Sequence, residues 1–132
     1  MRLGWTILYV SDVARAVEFY ERAFGLSRRF VHPGGGYAEL ETGATALAFV
    51  SQAQARESLG GDFVASDPAR PPLGVEVAFV TSDVQAAYEL AVAAGATPVL
   101  APTAKPWGQV VSYVRDQDGF LVELASPVQG SE

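Results

Sequence analysis

Two stretches of this chain repeat one pattern, and that repeat constrains the fold more than any other feature. They are "LYVSDVARAVEFYERAFG" from Leu8 and "FVTSDVQAAYELAVAAG" from Phe79. Setting Asp12 on Asp83 aligns a strand-like run with a strand-like run and a helical pattern with a helical pattern. In the first copy, Leu3–Val10 reads as a strand rich in β-branched and aromatic residues. The helix that follows places Val13, Ala16, Val17, Tyr20 and Phe24 on one face, with Ser11 or Asp12 as cap and Gly25 as stop. Three more strands are expected in "LSRRFVH", "YAELE" and "TALAFVS", joined by turns at "PGGG" and "TGA". The second copy offers "GVEVAFV", then a helix opened by a Ser82–Gln85 capping box and closed by Gly95, then "TPVLAP", "QVVSYVR" and "FLVELA".

The expected class is therefore α+β, built from two βαβββ modules at about 1–51 and about 74–127. A linker of about 52–73 joins them within one domain spanning 1–132, with a short helix expected near "ARESL". Strand side chains alternate between faces. Trp5, Ile7 and Tyr9 share one face of the first strand, and the repeat sets Trp5 on Glu76. Leu8, Val77 and Phe79 then pack against the helices, with Leu47, Phe49, Val122 and Leu124 as core in the closing strands. Ala48 falls on Glu123. Glu76 and Glu123 thus stand where a strand pattern calls for apolar side chains, on the face away from the helices, and ionised carboxylates are seldom buried without partners.

Composition narrows the function classes. A chain with 49% hydrophobic and 18% charged residues is that of a folded domain, and its net charge of −6 argues against nucleic acid. There are no cysteines, so disulfides and thiolate chemistry are excluded. No apolar stretch is long enough to span a bilayer and no signal-peptide layout opens the chain, so a cytoplasmic location is expected. "VHPGGGYAEL" lacks the Lys-Ser/Thr and the helix of a phosphate loop and reads as a hairpin turn. "RDQDGF" lacks the calcium-loop layout and reads as a tight turn. His32 is the only histidine, with no Gly-x-Ser-x-Gly to accompany it, and Arg28 and Arg29 read as a solvated strand edge.

"LYVSDVARAVEFYERAFGL", "VAFVTSDVQAAYELAVAAGA" and above all "PWGQVVSYVRDQDGFLVEL" resemble the vicinal oxygen chelate superfamily, which embraces glyoxalases, bleomycin-resistance proteins and extradiol dioxygenases. The resemblance runs from about Leu3 to Pro127. It implies two βαβββ modules forming a curved mixed sheet that cups a site, helices on the outer face, usually in a homodimer. It also implies metal-ligand positions at Trp5, Ala48, Glu76 and Glu123. Trp5 stands where His is typical and Ala48 where a ligand would sit, so two of the four cannot coordinate. Glu76 and Glu123 alone would hold at most a weakly bound divalent metal, and no cofactor is expected.

Three readings stand side by side. In the first, a metal-independent protein of the bleomycin-resistance kind binds a small amphipathic or cationic ligand in a cup between modules. Its lining would be Trp5, Tyr9, Ala48, Glu76, Trp107, Tyr113 and Glu123, with Tyr37 a further aromatic candidate. In the second, Glu76 or Glu123 is the general base of a lyase, isomerase or dioxygenase of the same superfamily, with or without a divalent metal. In the third, both carboxylates pair with Arg115 or another cation and do nothing more.

Overall fold

A computed structural model describes residues 1–128. The chain divides into two compact units, the first Met1–Ser66 and the second beginning at Asp67. The first holds β1 (Trp5–Val10), α1 (Val13–Phe24), β2 (Arg28–Val31), β3 (Tyr37–Leu40), β4 (Ala46–Ser51) and α2 (Gln52–Leu59). The second holds β5 (Glu76–Val80), α3 (Val84–Ala93), β6 (Thr97–Ala104), β7 (Val110–Arg115) and β8 (Leu121–Ala125).

Each unit builds one mixed sheet. The strand orders are β1-β4-β3-β2 and β5-β8-β7-β6, two separate four-stranded sheets. In each, the first and last strands of the module run parallel and the other neighbours antiparallel. This corrects the expected curved mixed sheet cupping a site. The alternation of side chains says which residues share a face of a strand. It carries no information on which strand edges join, since ladder hydrogen bonds are made between segments distant in sequence.

In the first unit, Asp12 caps α1 by accepting from the Arg15 backbone N–H at 3.1 Å, and Gly25 ends it in the left-handed region at φ 67°. The buried face of α1 is Val13, Ala16, Val17, Phe19, Tyr20 and Ala23, packed on β3 and β4. Tyr20 meets Phe49 edge-on at 5.0 Å. Leu8, Val10, Leu40 and Leu47 complete this core. The expected linker helix is present and longer than "ARESL", because Ser51 caps α2 directly after β4 by accepting from Gln54 N–H at 3.1 Å.

In the second unit, α3 packs against β6, β7 and β8, with Val114, Val122 and Leu124 buried. Its cap is Asp83, accepting from Ala86 N–H at 3.0 Å, in place of the expected Ser82–Gln85 box. Asp83 is one residue closer to the first turn, and the Gln85 side chain donates to Glu89 at 3.1 Å along the helix instead of folding back. The turn before β8 is held by Asp116, whose Oδ1 accepts from Asp118 and Phe120 N–H at 3.0 and 2.9 Å. Gly119 in that turn has φ 92°, and a Cβ there would lie 2.7 Å from Arg115 Nη2 and 2.8 Å from Pro68 N, so both conformation and space require glycine.

Candidate functional site

On the sheet face of the second unit that is turned from α3, the two carboxylates meet. The parallel register sets Glu76 beside Leu121 and Ala78 beside Glu123, so the two glutamates are diagonal neighbours on adjacent strands. Tyr113 of β7 stands directly across from Glu123 on its other side. Glu76 and Glu123 share a side-chain hydrogen bond. That bond first, then partial burial and the charge of Glu123, raise the Glu76 carboxyl to about 7. The Tyr113 hydroxyl is also raised, by burial first, then by the charges of Glu123 and Glu76 and a hydrogen bond to Glu123. The motif is thus two neighbouring carboxyls beside a phenol, with the Glu76 proton held more tightly than an isolated carboxyl would hold it.

None of the ion pairs among the described residues involves Glu76 or Glu123. Arg115, the cation that the third reading assigned to them, is spent elsewhere. Its Nε donates to the Gly119 carbonyl at 2.9 Å, Nη2 to that of Asp67 at 3.0 Å and Nη1 to that of Pro68 at 3.4 Å. Trp107 lies on the β6–β7 turn, largely exposed, with its indole N–H donating to Gln109 Oε1 at 2.8 Å. Gln109 in turn donates to the Ser126 carbonyl at 2.9 Å, which ties the tryptophan to the end of β8.

The first unit carries a different arrangement on its corresponding face. Trp5 is 57% exposed, yet its indole N–H donates to Glu39 Oε2 at 2.9 Å. Trp5 sits on β1 and Glu39 on β3, so this bond passes over β4. Two strand spacings of roughly 4.8 Å each must be bridged, and alanines at 46 and 48 leave the way clear. Ala48 is fully buried. Glu39 also accepts from the Tyr37 hydroxyl at 2.6 Å and from Arg29 at 3.2 Å, while Arg29 reaches Glu41 at 2.7 Å. The Tyr37 bond first, with the Trp5 and Arg29 bonds behind it, holds the Glu39 carboxyl below its usual range against the opposing effect of burial. Burial first, then Glu39, pushes the Tyr37 hydroxyl up to about 12.

Glu39 pairs across from Ala48 as Tyr113 pairs across from Glu123, so the repeat places a carboxylate one strand further over in the first unit. Sequence reading passed over Glu39, although its alternation with the buried Ala38 and Leu40 marks the same face as Tyr37. Arg28 and Arg29 are ion-paired rather than a merely solvated edge, Arg28 with Glu21 at 2.9 Å. Tyr9 is partly covered by Phe63, ring centroids 4.9 Å apart, and the Arg56 guanidinium lies 4.8 Å from the Phe63 ring.

Among the described residues no group of three or more His, Cys, Asp or Glu is placed to hold a metal ion. The donors at the second-unit site are two carboxyls bonded to each other, a set too small for the metal centre that the family positions would imply. No described helix is long and apolar enough to cross a membrane.

The two units repeat one βαβββ order, each with its first and last strands side by side. The chain belongs to the Glyoxalase/Bleomycin resistance protein/Dioxygenase superfamily, whose family model matches residues 2–124. A glyoxalase-related enzyme from Fulvimarina pelagi is similar at 23% identity and a TM-score of 0.82, over 96% of this chain and 88% of that one. TioX from Micromonospora sp. ML1 is similar at 27% identity and a TM-score of 0.71, over 96% and 98%. A glyoxalase/bleomycin resistance protein/dioxygenase from Nocardioides shares 24% identity at a TM-score of 0.74, over 100% and 87%. No protein of curated function matches the chain in sequence.

Proposed function

We propose that this protein is a homodimeric binder of a small amphipathic or cationic organic molecule and works without a resident metal. The observation that carries this reading is the hydrogen-bonded pair of Glu76 and Glu123, on an open sheet face, beside Tyr113 and with no ion pair of its own among the described residues. A pair that holds one proton keeps its other charge available, and an arriving cation displaces the proton and gains the second charge. Tyr113 and Trp107 of the same unit supply aromatic surface for the rest of the ligand. Exposed Trp5, Ile7 and Phe30 in the first unit, and Val75 and Val80 in the second, support self-association.

A second reading rests on the same pair. A carboxyl raised to about 7 is suited to remove a proton next to a carbonyl, which makes Glu76 the base of a lyase or isomerase. The deciding experiment is a fluorescence titration with rhodamine 6G, a cationic aromatic dye, against the anionic anilinonaphthalene sulfonate. Binding of the cation alone, weakened at least tenfold in the Glu76→Gln/Glu123→Gln variant, supports the binding function. Equal affinity for both dyes, or no loss in the variant, refutes it. Light scattering at micromolar concentration tests the dimer, and a monomeric mass would refute that part.

A further inference from the structure

We propose that Gln109 is a positioning residue, which acts on the ligand through Trp107 by holding its indole ring as a rigid platform at the end of β8. This role rests on the proposed function, in which Trp107 offers aromatic surface to a cationic ligand. Trp107 and Gln109 both lie on the β6–β7 connection of the second unit, between Ala104 and Val110. The turn there is closed by its own backbone. Gly108 N–H donates to the Lys105 carbonyl at 2.9 Å, and Lys105 N–H to that of Gln109 at 2.7 Å. Pro106 fixes one backbone angle, and Gly108 takes φ 90°, which only glycine adopts readily. A stiff backbone still leaves the indole free to swing about two side-chain bonds.

Gln109 removes that freedom. Its Oε1 accepts from Trp107 Nε1 at 2.8 Å, while its Nε2 donates to the Ser126 carbonyl at 2.9 Å. Both ends of one carboxamide are used. The Ser126 end is anchored in turn, since Ser126 Oγ accepts from Val110 N–H at 2.8 Å and Ser126 N–H donates to the Val110 carbonyl at 2.9 Å. Ser126 follows directly on β8, only about 10 Å along the chain from Glu123 at the rise of a strand. The ring is thereby fixed relative to the strand that carries the carboxylate.

Packing does not account for this arrangement. Trp107 is 59% exposed, so the bond does not serve to bury the ring, and a turn in solvent is ordinarily satisfied by small polar residues. The clamp also decides what can dock. With its only side-chain donor given to Gln109, the indole presents its π face and carbon edge and no free N–H. Such a surface takes a flat cationic ring by stacking and by attraction to the face, and does not select hydrogen-bond acceptors. A ring ordered before binding loses little freedom when a ligand stacks on it, and that saving is the source of the affinity Gln109 adds.

Rhodamine 6G is again the probe, followed by its fluorescence anisotropy on the full-length protein. Gln109→Met keeps the length of the side chain and makes neither hydrogen bond, and it should weaken binding roughly threefold. Trp107→Ala should weaken it roughly fivefold. Adding Gln109→Met to Trp107→Ala should weaken it no further, because the glutamine acts only through the ring. The chain has two tryptophans, so Trp5→Phe leaves Trp107 as the only emitter. Its time-resolved anisotropy should gain a fast component when Gln109→Met frees the ring, with the thermal unfolding midpoint changed little. Wild-type affinity in Gln109→Met beside a loss in Trp107→Ala, an unchanged anisotropy decay, or a Gln109→Met loss that persists without Trp107 would each overturn the positioning role alone. Wild-type affinity in Trp107→Ala would overturn Trp107 as ligand surface, and the positioning role with it.

Discussion

Replacing Glu123 by Gln isolates the interaction on which the carboxylate site depends. Glu76 is raised to about 7 from the usual 4.5, with its hydrogen bond to Glu123 the largest cause and the charge of Glu123 a further one. Glutamine removes that charge and turns the shared proton into an ordinary amide donor, so the Glu76 carboxyl should fall back towards 4.5. A carboxyl whose pKa is raised on folding binds its proton more tightly in the native chain than in the unfolded one. Its contribution to stability is full below 4.5 and is lost as the pH rises through about 7. Every tenfold gain in proton affinity corresponds to about 1.4 kcal/mol. Glu76 is exposed, so water screens the interaction, and we expect ~1 kcal/mol over that window rather than the full conversion. Carboxyl-detected NMR titration of wild type should show one glutamate with a midpoint near 7, absent in Glu123→Gln. Urea unfolding at the two ends of the window should show the wild-type slope flattened in the variant. A wild type with no glutamate titrating above about 5.5, or a variant that keeps its high midpoint, would refute the shared-proton account.

The Trp5–Glu39–Tyr37 network should respond to Ala48→Leu, which fills the path over β4. We expect about 2 kcal/mol of destabilisation in chemical denaturation and a changed Trp5 emission, and an unchanged spectrum would contradict the bridging geometry. Gly119→Ala forces a side chain into the left-handed region against Arg115 and the Pro68 backbone, and should lower stability by at least ~2 kcal/mol in the same assay. Asp83→Ala should cost about 1 kcal/mol while Ser82→Ala stays within roughly 0.5, and the reverse order in thermal unfolding would restore the Ser82 cap.

Much of the candidate site was legible because strand alternation is a local property. Glu76 and Glu123 were placed on one face from period two together with the Asp12–Asp83 repeat, and Asp12 was one of two cap candidates for the first helix, whereas the Ser82–Gln85 pattern pointed one residue before the true cap Asp83. Glu39 was not found, because its significance lies in Trp5, 34 positions away and across an intervening strand. Arg115 illustrates the same limit: its charge was evident, but only the folded turn shows three backbone carbonyls claiming it.

By itself the sequence determined the modules, their helices and the faces of their strands, since propensity, capping and side-chain period act over a few residues. Tertiary structure alone decided that each module closes its own four-stranded sheet, that Glu76 comes to lie beside Glu123, and that a cavity opens beside Tyr37 and Gln54. Those outcomes depend on register between segments distant in the chain. Backbone ladders and packing set that register, and no single stretch of residues encodes it.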